Sequence, residues 1–164
     1  MADYPSPTLN ERKLAKSAHD ILLINLIVNH VLLFSGLAAL GPDYLLFMVL
    51  IPIFSVMTIA YLYQRSQQNT IQSHSFIKAH WRITLRSCKL LARVLLLGGA
   101  VIIYAWYSYS YLEASRGISY ALAGGLGVLP IMAMVIILII LEASAMHRAD
   151  DGLLPDWARQ RFLS

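Results

Sequence analysis

Long apolar blocks follow one another along this chain, each about the length of a bilayer crossing and divided from the next by polar residues. A helix needs about 20 mostly apolar residues to cross the hydrocarbon of a membrane. Four stretches reach that length, at about 21–40, 44–63, 90–112 and 118–141. Only Gly41-Pro42-Asp43 separates the first two, and Glu113 to Gly117 separates the last two. Such tight turns make each pair antiparallel neighbours. The pattern predicts an all-α polytopic membrane protein with four transmembrane helices. Residues 1–164 form a single membrane domain whose extramembrane segments are 1–20, 64–89 and 142–164. The first stretch is longer than the apolar core of a signal peptide, and Asn25, Asn29 and His30 interrupt it, so it reads as a retained helix.

Finer spacing extends these elements beyond the bilayer. Thr8 and Glu11 stand three residues apart in the pattern of a capping box, after Pro5 and Pro7, which starts the first helix there. Ahead of the third span, Lys78, Arg82, Arg86, Lys89 and Arg93 recur at steps of three or four, one basic stripe on a helix of 3.6 residues per turn. Ile77, Trp81, Thr84, Cys88, Leu91 and Leu95 form a second, mainly apolar stripe. The third helix therefore starts near Phe76 and enters the membrane near Leu90, with an amphipathic cytoplasmic part. Its basic stripe either docks on anionic lipid headgroups or a partner's acidic face, or only enforces topology. Asp150-Asp151-Gly152 ends the last helix, and Pro155 can open a short interfacial one. Leu154, Trp157 and Phe162 would anchor it, with Arg159 and Arg161 toward headgroups.

Composition turns this pattern into a statement about solvent. Hydrophobic residues make up 58% of the chain and charged residues 13%, against about 45–50% and 25% in soluble domains. A core of this size cannot hide that much apolar surface, so lipid takes it. The formal net charge of +4 belongs to topology rather than to nucleic acid, because the basic residues sort by side. Twelve precede the first span, lie in or beside the 64–89 loop, or follow the last span; Arg116 alone falls on the other side. Cytoplasmic loops retain Lys and Arg, so both termini and the central loop face the cytoplasm. The single Cys, Cys88, excludes an internal disulfide or a cysteine-only metal site.

Polar groups inside the spans are the candidates for chemistry. Asn25, Asn29 and His30 bond either across the bundle or to a partner subunit. In the sharper alternative His30 ligates a b-type haem or hydrogen-bonds a quinone. His19, His74, His80 and His147 lie far toward the cytoplasm, which leaves Met57 or Met132 as the second axial ligand. Paired intramembrane carboxylates, a nucleophile elbow and a His-Glu-x-x-His motif are all missing, so no catalytic or metal-ligating set is assigned. Glu142 lies at the depth of Arg93, where the two can form an ion pair. Pro52 and Pro130 can kink their helices. Gly98 and Gly99, and the pairs Ala121/Gly125 and Ala123/Gly127, offer small faces for close helix packing. Tyr104, Trp106, Tyr107, Tyr109 and Tyr111 crowd the outer half of the third helix.

The segment Ala79-His80-Trp81-Arg82-Ile83-Thr84-Leu85-Arg86-Ser87 resembles one in small uncharacterised four-helix bacterial membrane proteins, distant relatives of a chloroplast import-channel subunit. His80, Trp81, Arg82 and Arg86 match that motif, and Thr84 stands where the family has Gln. The resemblance implies a four-helix fold in a bacterial cytoplasmic membrane and no activity. Together these readings point to a non-enzymatic accessory or structural subunit of a larger inner-membrane complex, in contact with lipids and other membrane subunits and without a cofactor. The alternatives are a haem b- or quinone-binding redox subunit and a small ion or lipid channel or carrier.

Overall fold

A computed structural model describes residues 6–72 and 74–155, so the tail residues Trp157, Arg159, Arg161 and Phe162 lie outside the described residues. Four long helices account for nearly all of it: α1 (Leu9–Leu40), α2 (Leu46–Ser66), α3 (Ser75–Tyr111) and α4 (Arg116–Asp150). Each is long and apolar enough to cross a membrane. A single turn, Asn69–Gln72, sits between α2 and α3. At about 1.5 Å per residue α3 is about 55 Å long, well beyond the roughly 30 Å of a hydrocarbon core.

The chain ends of α1 and α4 meet the α2–α3 connection at one end of the bundle, which carries most of the basic residues and is called the basic end here. The other end holds the two tight turns, at Gly41 and at 112–115. The cap at Thr8 has the expected form, its hydroxyl accepting from the Glu11 N–H while the Glu11 carboxylate accepts from the Thr8 N–H. Thr8 and Glu11 thereby satisfy donors the first turn leaves without helical partners. At the far end of α4, Gly152 adopts φ +74°. The Leu153 N–H bonds to Arg148 O and the Gly152 N–H to Ala149 O, a Schellman stop.

Two of the helices are wound more loosely over one stretch. Asn25–Leu33 in α1 and Leu122–Val128 in α4 are π-helical, with α-helix on both sides. The second lies just before Pro130, whose ring crowds the carbonyl four residues back and which lacks an N–H, so a local change of winding absorbs both defects. Pro52 likewise follows a 3₁₀ segment, Pro42–Val49. Both prolines thus sit beside a change of winding.

The apolar core gathers toward the basic end. Ala15, Ala18, Leu22 and Leu26 of α1 pack with Leu62 of α2, Trp81 and Leu91 of α3, and Val135 and Leu138 of α4. The small Ala15 and Ala18 let α1 sit close to its neighbours, and Trp81 is pinned there by donating from Nε1 to Leu14 O at 3.1 Å. The stripe Ile77–Trp81–Thr84–Cys88–Leu91 is buried as its spacing predicts. Many large apolar side chains elsewhere face outward, among them Leu46, Val56, Leu96, Leu97, Leu129 and Ile140. Such an all-round apolar exterior suits lipid rather than water.

Candidate functional site

Three buried polar residues from three different helices meet at the basic end: His19 of α1, His80 of α3 and Glu142 of α4. Each is at most 1% exposed. His80, Thr84 and Ser87 follow one another at four and three residues, so one face of α3 delivers all three. His19 Nδ1 lies 2.7 Å from Glu142 Oε2, and His19 Nε2 lies 3.0 Å from His80 Nδ1. His80 Nε2 is 3.1 Å from Leu153 O, the carbonyl that the Schellman turn aims back at the bundle. Ser87 donates to Glu142 Oε1 at 2.5 Å, and Thr84 to Glu142 Oε2 at 3.3 Å. Phe76 stacks edge-on against the His80 ring, 4.8 Å between centroids.

The chain of bonds fixes its own proton count. A carbonyl only accepts, so His80 Nε2 carries a hydrogen, and in the neutral ring Nδ1 is then an acceptor. His19 Nε2 must donate to it. One proton remains to be shared between His19 Nδ1 and Glu142 Oε2, whichever atom holds it. The cluster is therefore neutral as a whole, and every heavy atom in the relay has a partner. Glu142 does not meet Arg93 as the sequence suggested. Arg93 is exposed; it lies nine residues after Thr84, about 180° around the helix from the face that carries His80 and Thr84.

A second cluster lies further along α1. Asn25 donates from Nδ2 to Ser55 Oγ at 2.9 Å, and Asn29 donates from Nδ2 to Ile51 O at 2.8 Å. His30 Nδ1 lies 3.3 Å from Asn25 O and donates to it, leaving Nε2 to accept from Ser55 Oγ at 3.2 Å. In a regular α-helix residue 30 falls about 140° from residue 25. The looser π winding turns His30 back onto the face of Asn25. Both imidazole nitrogens are thereby engaged within the chain, so an iron or quinone at His30 would first have to displace one of these bonds. Met57, a possible second ligand, is 62% exposed.

Ser55 is the hub of this cluster. Ser55→Ala should lower stability by about 1–2 kcal/mol in detergent, since model membrane helices gain about that much from such bonds. Thr58→Ala, whose hydroxyl only returns to Phe54 O on the exposed side of α2, should leave unfolding unchanged. Thermal denaturation of the two variants side by side tests this.

Comparison with protein-family models, curated proteins and solved structures finds no match. The chemistry of its own residues therefore defines the site.

Of the small residues, Gly98 and Gly127 face each other where α3 and α4 cross. A Cβ built on Gly98 would lie 3.0 Å from Gly127 O. Ala123 is partly buried on the same side, whereas a Cβ added to Gly99, Gly124 or Gly125 would meet nothing within 4 Å, and Ala121 is exposed. The small positions thus divide between one face that closes the bundle and another that is left outward. Tyr104, Trp106, Tyr107, Tyr109 and Tyr111 are all exposed. On the basic stripe, Arg82, Arg86, Lys89 and Arg93 are at least partly exposed and Lys78 is half-buried. The sequence placed His19 only as a distant histidine, and His80 and Thr84 in the 79–87 motif without linking either to Glu142. Their signal was the spacing of 80, 84 and 87 opposite the lone carboxylate of an otherwise apolar stretch.

Proposed function

We propose that this chain is a multi-pass bacterial inner-membrane protein that serves, without enzymatic activity, as an accessory subunit of a larger membrane complex. The observation that carries this is the outward small face of α4: Ala121 and Gly125, one turn apart, with Gly124 beside them and open space over both glycines. Between helices in lipid, small residues permit the close backbone approach that drives association. The bundle uses Gly98 and Gly127 for its own crossing and has a second such face to spare. The exposed aromatics of α3 extend the available surface.

The gathering of basic residues at one end supports an orientation with both termini and the α2–α3 loop in the cytoplasm, where α3 would extend past the membrane. The likeness of residues 79–87 to small bacterial membrane proteins supports the location. With most polar atoms of both buried clusters turned on one another, these clusters act as locks within the bundle.

Native-level expression, purification in mild detergent and identification of co-purifying proteins tests the proposal. At least one stoichiometric membrane partner is expected, and Gly125→Leu should reduce its recovery at least tenfold. The same substitution should not destabilise this chain itself, because a Cβ at Gly125 would meet nothing within 4 Å. A lone monomer, or a partner indifferent to Gly125→Leu, would overturn this assignment.

A further inference from the structure

At the basic end, α3 and α4 part to leave a cleft of about 370 Å³. Its lining changes character along its length. Arg86 and Arg148 stand with Ser87 and Ser144, while Leu90 and Leu141 continue the wall along the apolar faces of the two helices. Arg86 and Arg148 border the apolar stretches of α3 and α4, so guanidinium groups and hydroxyls occur where apolar surface begins. From the geometry we infer that this cleft is a binding site for an anionic phospholipid, with the headgroup phosphate at Arg86 and Arg148 and an acyl chain along Leu90 and Leu141.

Three features favour that occupant. Basic clefts between membrane helices at the cytoplasmic face suit anionic headgroups. Guanidinium groups present several N–H donors in a planar fork that matches phosphate, so Arg86, which also engages another group of this chain, retains donors for a ligand. The carboxylate in the cleft wall, Glu142, does not oppose an anion, because its charge is matched by the proton it shares with His19 and its Oε1 is occupied by the Ser87 hydroxyl. The apolar wall accounts for a lipid rather than a free anion: inorganic phosphate has no use for Leu90 and Leu141. Such a site is independent of whether the outward face of α4 meets another subunit.

The full chain, purified in mild detergent, is incubated with phosphatidylglycerol, with zwitterionic phosphatidylcholine, or with inorganic phosphate, and bound lipid is counted by native mass spectrometry while thermal stability is followed. Phosphatidylglycerol should be retained about thirtyfold over phosphatidylcholine, on the scale expected of two basic residues near a headgroup. Arg148→Gln should remove most of that preference, and Arg148→Lys should keep part of it. Lys89→Gln, exposed on the same helix as Arg86 but outside the cleft, should leave it intact. Equal retention of the two lipids, or equal loss in Lys89→Gln, overturns the site in favour of general surface attraction. Stabilisation by inorganic phosphate as large as by phosphatidylglycerol makes it an anion site without a lipid. Loss of a co-purifying acidic protein in Arg148→Gln with no lipid preference assigns the cleft to a protein instead.

Discussion

Glu142→Ala should destabilise the protein by about 3–5 kcal/mol, the usual cost of removing one member of a buried charged or proton-sharing pair. The carboxylate takes part in three bonds at once. Without it Ser87 loses its partner, and His19 Nδ1 and the Thr84 hydroxyl, 3.0 Å apart, keep only each other. Glu142→Gln is the informative companion. Its amide N–H supplies covalently the proton that the native pair shares, and its oxygen still accepts from Ser87, so its loss should stay near ~1 kcal/mol. His19→Ala combined with Glu142→Ala should cost less than the two single losses added, by about 1–3 kcal/mol, since the second change removes a group the first has already orphaned. Reversible unfolding in mixed micelles measures all four. A Glu142→Ala variant as stable as the parent would remove the cluster from any structural role. Equal losses for Ala and Gln would place the shared proton on His19 as an imidazolium, which only a carboxylate can answer.

That cluster also shows where sequence reading stops. Spacing alone identifies which residues share a face of one helix, and it places His80 and Thr84 apart from the basic stripe. It says nothing about the rotation of one helix against another. Its depth alone made Arg93 the candidate partner of Glu142, whereas the packing of α1 against α3 and α4 turns His19 toward it instead. The same gap explains the glycines. Their spacing marks α3 and α4 as helices able to approach closely, but not that Gly98 and Gly127 make the contact while Gly99 and Gly125 face away.

A second kind of information is lost when winding is assumed uniform. Four helices, their turns, the Thr8 cap and the stop at Gly152 are all legible, because each follows from local residue chemistry. The π segments are not. Asn25, Asn29 and His30 look like residues on adjoining faces at 3.6 residues per turn, and the loosened helix instead focuses them on Ser55. Ser55 itself, one of two small hydroxyls in an apolar stretch with Thr58, gives no local sign of its part. Its role depends on a helix brought alongside by the short turn at Gly41.

Neighbouring glycines in α3 should respond to alanine with opposite signs. A methyl group at Gly98 would lie 2.5 and 2.8 Å from Ile131 Cδ1 and Cγ1, and 3.0 Å from Gly127 O. The Ile131 side chain can swing aside, but the backbone oxygen cannot, so α3 and α4 must separate at their closest approach. Overpacking of this kind costs about 1–3 kcal/mol. At Gly99 nothing lies within 4 Å, and replacing a mid-helix glycine by alanine gains about 0.5–1 kcal/mol through the lower entropy of the unfolded chain. Gly98→Ala in an Ile131→Ala background should cost less than in the parent, because both of the nearest side-chain atoms are gone while the clash with Gly127 O remains. Unfolding midpoints in detergent for Gly98→Ala, Gly99→Ala and the double variant decide the matter. Equal effects at 98 and 99 would mean that the two helices do not cross at Gly98.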